Sequence, residues 1–125
     1  MKSISPNIFV KDLAATITFY TKLGFTVADE VTTPEGEKVF ALMTSGSVVF
    51  MFQTFNSIEG KLPMVSRGDG GSLLLYISVD NIAEYYDHIK EQVTVLTSLE
   101  KTFYGATEFS ICDNNNYLLT FAQHD

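Results

Sequence analysis

Displaced by 69 residues, the chain falls on itself without a gap: Ile8 lands on Ile77, Val10 on Val79, Gly36 on Gly105, Phe40 on Phe109 and Phe52 on Phe121. Five identities weigh little by themselves. The constraint comes from their order, because the first strand, the helix, the turn glycine and the last strand of each half stay in register. That is how a duplicated supersecondary unit reads.

The first unit opens on "ISPNIFV" (4–10), a strand that ends at Lys11-Asp12. Asp12 suits a helix N-cap, and Leu13, Ile17 and Tyr20 then recur on one helical face, with Gly24 placed to end the helix. Strands follow at about 25–33, 37–44 and 47–54, separated by the turn signals Pro34-Glu35-Gly36 and Ser45-Gly46. The second unit repeats the plan. "SLLLYISV" (72–79) is a strand, Asn81 with Glu84 resembles a capping box, and Ile82, Tyr85, Tyr86 and Ile89 form a helical stripe. Strands at about 93–100, 105–112 and 117–122 complete it, the last two joined through Asp113 and three asparagines, which tolerate positive φ and read as turn chemistry.

The expected fold class is therefore α+β, built from two tandem βαβββ modules. Module 1 spans about 4–54, a linker about 55–71 and module 2 about 72–123. The linker, "TFNSIEGKLPMVSRGDGG" with the strand-end Thr54, has the Gly, Pro and Ser content of a mobile connection. Its Arg67-Gly68-Asp69 reads as a polar turn and is assigned no function.

With 125 residues and 46% hydrophobic composition, the chain is one domain's worth and large enough to bury a core. A net charge of −7 and the absence of a basic stripe argue against nucleic acid as a partner. A single cysteine, Cys112, excludes an internal disulfide and fits a reducing compartment. No stretch has the length of a membrane span or a signal peptide, so the expected location is the cytoplasm, with no membrane partner.

"VKDLAATITFYTKLGF" (10–25) resembles the opening of the vicinal oxygen chelate superfamily, which holds glyoxalase I, extradiol dioxygenases and bleomycin-resistance proteins. "YGATEFSICDNNNYLLTF" (104–121) resembles its closing strand pair, with Asn114 where that family usually has Pro and Asn116 where it has Gly. The resemblance covers nearly the whole chain. It implies a cupped mixed sheet around a ligand cavity, commonly completed by a second subunit, and hence a homodimer.

Metal-dependent members carry one ligand on each first strand and one on each last strand. Carried over residue by residue, those places hold Ser5, Met51, Leu74 and Thr120. None of these side chains suits a catalytic divalent ion, which needs imidazole, carboxylate or thiolate donors. A slip of one residue does not help, since the neighbours are Ile4, Pro6, Phe50, Phe52, Leu73, Leu75, Leu119 and Phe121. The expectation is no metal and no cofactor. Elsewhere, His88 and His124 read as solvated and Cys112 as a structural thiol. Glu108 is open between a ligand contact and a strand-edge ion pair.

If Ser5, Met51, Leu74 and Thr120 mark the concave side, alternation assigns their companions. Asn7 and Phe9 point inward on the first strand, Val49, Met51 and Gln53 on the fourth, and Phe40 and Leu42 beside them. Tyr76 accompanies Leu74, while Phe109, Ile111 and Leu118 accompany Thr120. The candidate ligand-binding residues are thus Asn7, Phe9, Phe40, Met51, Gln53, Tyr76, Phe109, Leu118 and Thr120. For Phe40 and Phe109 the strand pattern leaves core and wall equally open. Such a wall suits an aromatic or amphipathic small molecule, and the resemblance implies sequestration of a drug-like ligand. A lyase, isomerase or dioxygenase with unusual metal ligands is the alternative, and a protein-interaction module a third reading.

Overall fold

The computed structural model describes all residues 1–125, as two compact units, Met1–Asp69 and Gly70–Asp125. In the first, β1 (Asn7–Val10), α1 (Leu13–Lys22), β2 (Thr26–Thr32), β3 (Lys38–Ser45) and β4 (Val48–Thr54) form a βαβββ module. The second repeats it with β5 (Leu74–Ser78), α2 (Ile82–Ile89), β6 (Thr94–Lys101), β7 (Ala106–Cys112) and β8 (Leu118–His124). Each module has its own four-stranded mixed sheet, ordered β1-β4-β3-β2 and β5-β8-β7-β6. The first and last strands pair in parallel and all other neighbours antiparallel. Neither helix is long and apolar enough to cross a membrane.

Helix α1 forms as its sequence dictates. The Asp12 side chain accepts a hydrogen bond from the Ala15 N–H at 3.0 Å, satisfying one of the orphan donors of the first turn. Gly24, at φ +104°, takes the left-handed position past the end, and the Phe25 N–H closes back on the Tyr20 carbonyl at 3.0 Å. The buried stripe is Leu13, Thr16 and Tyr20, with Ile17 only half-buried. Thr16 is tolerated there because its hydroxyl donates to the Asp12 carbonyl at 2.8 Å.

Helix α2 begins differently from the capping box its sequence suggests. Asn81 sits in the left-handed region at φ +51°, so its side chain makes no cap hydrogen bond. Gln123, on β8, accepts the Ile82 N–H at 2.9 Å in its place. A cap from 41 residues away is invisible to local pattern.

Both cores lie between helix and sheet and are aromatic. In module 1, buried Tyr20 packs against Phe25, Phe50 and Phe52, with ring centroids 4.7 to 5.8 Å away. In module 2, Phe109 and Phe121 stack at 5.1 Å under Tyr85 and Tyr86 of α2. Facing apolar residues of β1, β3 and β4, or of β5, β7 and β8, fill the rest, so one face of each sheet is committed to its helix and the other is not.

The segment after β4 carries structure of its own. A short 3-10 turn covers Asn56–Ile58, and the Arg67 guanidinium donates to the carbonyls of Ile58, Lys61, Leu62 and Val65. Arg67 thus works as an internal clip for this loop.

The two modules are not in register throughout. In module 1 the β3–β4 turn has two residues, with Ser45 opposite Val48. In module 2 the asparagine turn is one residue longer, closed by the Asp113 N–H on the Tyr117 carbonyl at 2.9 Å. A bulge at Val39, between the Thr32–Lys38 and Val31–Phe40 pairs, inserts one residue into β3 and restores the total length. Strand β7 is therefore displaced from β3 by 68 residues, while the flanking elements keep the displacement of 69. The register counterpart of Phe40 is Glu108, and Phe109 matches Ala41.

Candidate functional site

That one-residue slip decides which side chains reach the helix-free face. Phe109 pairs with Phe121, Ser110 with Thr120 and Cys112 with Leu118. Residues opposite one another share a face, so Phe109 and Ile111 turn into the core, where both are 0% exposed. The expectation that Phe109 and Ile111 line a wall beside Thr120 is corrected: Phe109 packs on α2, and β7 shows its other edge, Glu108, Ser110 and Cys112.

On module 1 the helix-free face gathers Asn7, Phe9, Phe40, Met51 and Gln53. Asn7 pairs with Met51, and both Phe9 and Phe40 pair with Gln53. Phe9, Phe40, Met51 and Gln53 are half-buried, and Asn7 is exposed. A polar chain crosses the face: the Asn7 amide donates to Gln53 Oε1 at 2.9 Å, and Gln53 Nε2 donates to Ser57 Oγ at 3.0 Å. The Ser57 hydroxyl in turn donates to the Thr54 carbonyl at 2.7 Å. Gln53 is held at both ends of its amide, so Asn7 is the freer polar group.

On module 2 the same face holds Tyr76, Leu118 and Thr120, with Tyr76 opposite Thr120 and Leu74 opposite Leu118. Thr120 is only 5% exposed, and its hydroxyl shares a hydrogen bond with Ser110 Oγ at 2.8 Å. It therefore braces the sheet more than it offers a contact. Tyr76 stands out, 47% exposed, with its hydroxyl donating to Glu108 Oε2 at 2.5 Å. Tyr104, in the β6–β7 turn and 52% exposed, donates to the same oxygen at 2.6 Å. His124 Nε2 lies 3.2 Å from the Tyr76 hydroxyl. The hydrogen bond to the Glu108 carboxylate, reinforced by desolvation and by its charge, pushes the Tyr76 phenol up to about 12 and raises Tyr104 as well.

Tyr104, Ser110 and His124 were missed as site residues in the sequence. Tyr104 and Glu108 stood in view as the Tyr-Gly and Glu-Phe pairs of the closing motif. His124 needed β8 to run two residues past its expected end, since Thr120, Ala122 and His124 then alternate onto one face.

The chemistry of the donor set does not fit a divalent metal. Met51 and Thr120, two of the places that the resemblance marks for ligands, pair with Asn7 and Tyr76, and the other two, Ser5 and Leu74, lie two residues before those partners. An amide, a thioether, a phenol and a buried hydroxyl are poor partners for zinc, iron or manganese. No three His, Cys, Asp or Glu side chains are grouped to hold an ion.

Solved structures carry the same fold. A bleomycin-binding protein complexed with bleomycin superposes with a TM-score of 0.69 at 20% identity, over all of both chains. A protein of unknown function from Agrobacterium tumefaciens reaches a TM-score of 0.80 at 21% identity, over 100% of this chain and 95% of that one. A glyoxalase-related enzyme from Clostridium phytofermentans gives 0.75 at 16%, covering 100% and 96%. No curated protein matches the chain in sequence. The family model of the glyoxalase/bleomycin resistance protein/dioxygenase superfamily matches residues 3–121. With its repeated modules and sheet order, the chain belongs to that superfamily.

Proposed function

We propose that this chain is a metal-free small-molecule-binding protein of the glyoxalase/bleomycin-resistance type, which sequesters an aromatic or amphipathic, drug-like ligand in a reducing, cytoplasmic setting. One observation carries the reading. The helix-free faces that carry Met51 and Thr120 present rings, apolar side chains and an amide around them: Asn7, Phe9 and Phe40 on one module, Tyr76 and Leu118 on the other. Such faces bind by apolar contact and orient by a few hydrogen bonds, with Asn7 the freer polar group on the face of module 1 and Tyr76 the exposed one on that of module 2. The neighbour solved with bleomycin supports ligand binding as a use of this fold.

The protein would act as a homodimer, since module 2 exposes Leu73, Leu74, Leu96, Phe103 and both site tyrosines together. A thermal-shift screen against aromatic compounds tests the reading. A binder present at a hundred times its Kd adds about 2.7 kcal/mol of stability. The expected result is a concentration-dependent rise in Tm that a chelator leaves unchanged. Stoichiometric zinc, iron, nickel or manganese in protein purified without chelator, or turnover of the bound compound, would overturn it.

A further inference from the structure

Glu108 is a carboxylate held entirely by neutral donors. Both phenols meet its Oε2, at 2.5 and 2.6 Å, and it makes no ion pair; the ion pairs of the chain are Lys38–Glu30 and Lys90–Asp87. Phenol hydroxyls fix a carboxylate in place without cancelling its charge.

The strand beside it makes the charge worse. Glu100 on β6 is the cross-strand partner of Glu108, so two carboxylates share one face in directly opposite positions. Like charges so placed destabilise a sheet. A lysine at position 100 would relieve the pair, yet the neighbouring Lys101 pairs with Thr107 and alternates to the other face. The chain as a whole, at −7, adds to the same potential. Around this charge stand Tyr76 and Tyr104, each about half exposed, with Phe103 packed edge-on against Tyr104 at 5.1 Å. Aromatic rings attract cations to their faces.

We propose that Glu108, set between Tyr76 and Tyr104, receives the cationic nitrogen of a small ligand: an amidinium, guanidinium or primary ammonium with N–H groups to donate. This rests on the small-molecule reading above and names the chemistry its ligand carries. The cation donates to Glu108, meets the field of Glu100, and lies against the tyrosine rings, while the apolar remainder of the ligand extends along Leu118 and Leu74. The two phenols hold the carboxylate ready, so no side chain needs to rearrange when the ligand arrives.

Benzamidinium and benzamide test this, because they share a shape and differ by one charge. Calorimetry on the intact protein is expected to give benzamidinium a Kd at least about tenfold below that of benzamide, with a preference that shrinks as salt is added. Glu108→Gln should bring the ratio near one while leaving the melting temperature within a few degrees. If that variant unfolds, Tyr104→Leu, in an exposed turn, serves instead. It should weaken benzamidinium several-fold, and by more than Tyr104→Phe, which removes the hydroxyl but keeps the ring. A ratio near one in the unaltered protein overturns the inference, as does a preference that survives both Glu108→Gln and Tyr104→Leu. Equal binding of the two probes would leave the sequestration reading standing, whereas failure of the wider ligand screen would sink that reading too.

Discussion

At Glu108 a single oxygen accepts hydrogen bonds from two phenols, and this sets how the neighbouring tyrosines titrate. Tyr76 is held at about 12 against an ordinary value of 10.0, mainly by its hydrogen bond to Glu108. The folded chain keeps this proton longer than an unfolded one. The stabilisation from the contact is therefore complete below about pH 10 and fades as pH climbs to about 12. Ultraviolet absorbance of tyrosinate should show Tyr76 and Tyr104 ionising late, and Glu108→Gln should bring both back toward the ordinary value. Tyr85 also ionises late, but because it is buried, so the same substitution should leave it unmoved. Phe109 and Phe40 separate the core from the proposed wall. Phe109→Ala removes a fully buried ring and should cost about 3–5 kcal/mol in denaturant unfolding. Phe40→Ala, at a half-buried position, should cost under about 2 kcal/mol yet weaken an aromatic ligand about tenfold.

At the scale of elements, capping and turns decide which segments hold, and each can be tested singly. Gln123→Ala leaves the Ile82 N–H without its acceptor and should lower stability by about 1 kcal/mol, read from the denaturant midpoint. Gly24→Ala forces a side chain into φ +104° and should cost 1 kcal/mol or more, roughly. These two cases also divide what the sequence could reveal from what it could not. Gly24 and Asp12 act within their own helix, so local pattern finds them. Gln123 acts across 41 residues and leaves no local trace. The displaced third strand was hidden for a related reason. An extra residue in the asparagine turn of one module is offset by the Val39 bulge in the other, so Gly36 with Gly105 and Phe52 with Phe121 still align. A comparison by identity then matches Phe40 to Phe109, although side-chain parity matches Phe40 to Glu108. Since strand residues alternate faces, one hidden residue moved a phenylalanine into the core and a carboxylate into the site.

At the scale of the molecule, the sheets leave edges that a single chain does not cover. All seven residues of β2 are exposed, Val27 and Val31 among them, and β6 is exposed along most of its length. Edge strands with apolar side chains invite pairing with another chain unless something protects them. Module 2 adds Leu73, Leu74 and Leu96, together with Phe103 at 99% exposure. Scattered apolar residues on a surface are ordinary; the proposed homodimer takes these as one patch, of the kind that marks an interface. The homodimer proposed above would cover these surfaces with a second copy about a two-fold axis and needs no other component. Light scattering at micromolar concentration should give a mass of twice the 13.9 kDa chain. Phe103→Asp and Leu96→Asp place charges on the patch without touching either core. If the patch is the interface, the pair should yield a folded monomer with unchanged circular dichroism and a lowered Tm. A monomer mass for the unaltered chain would instead assign these exposed side chains to ligand contact alone.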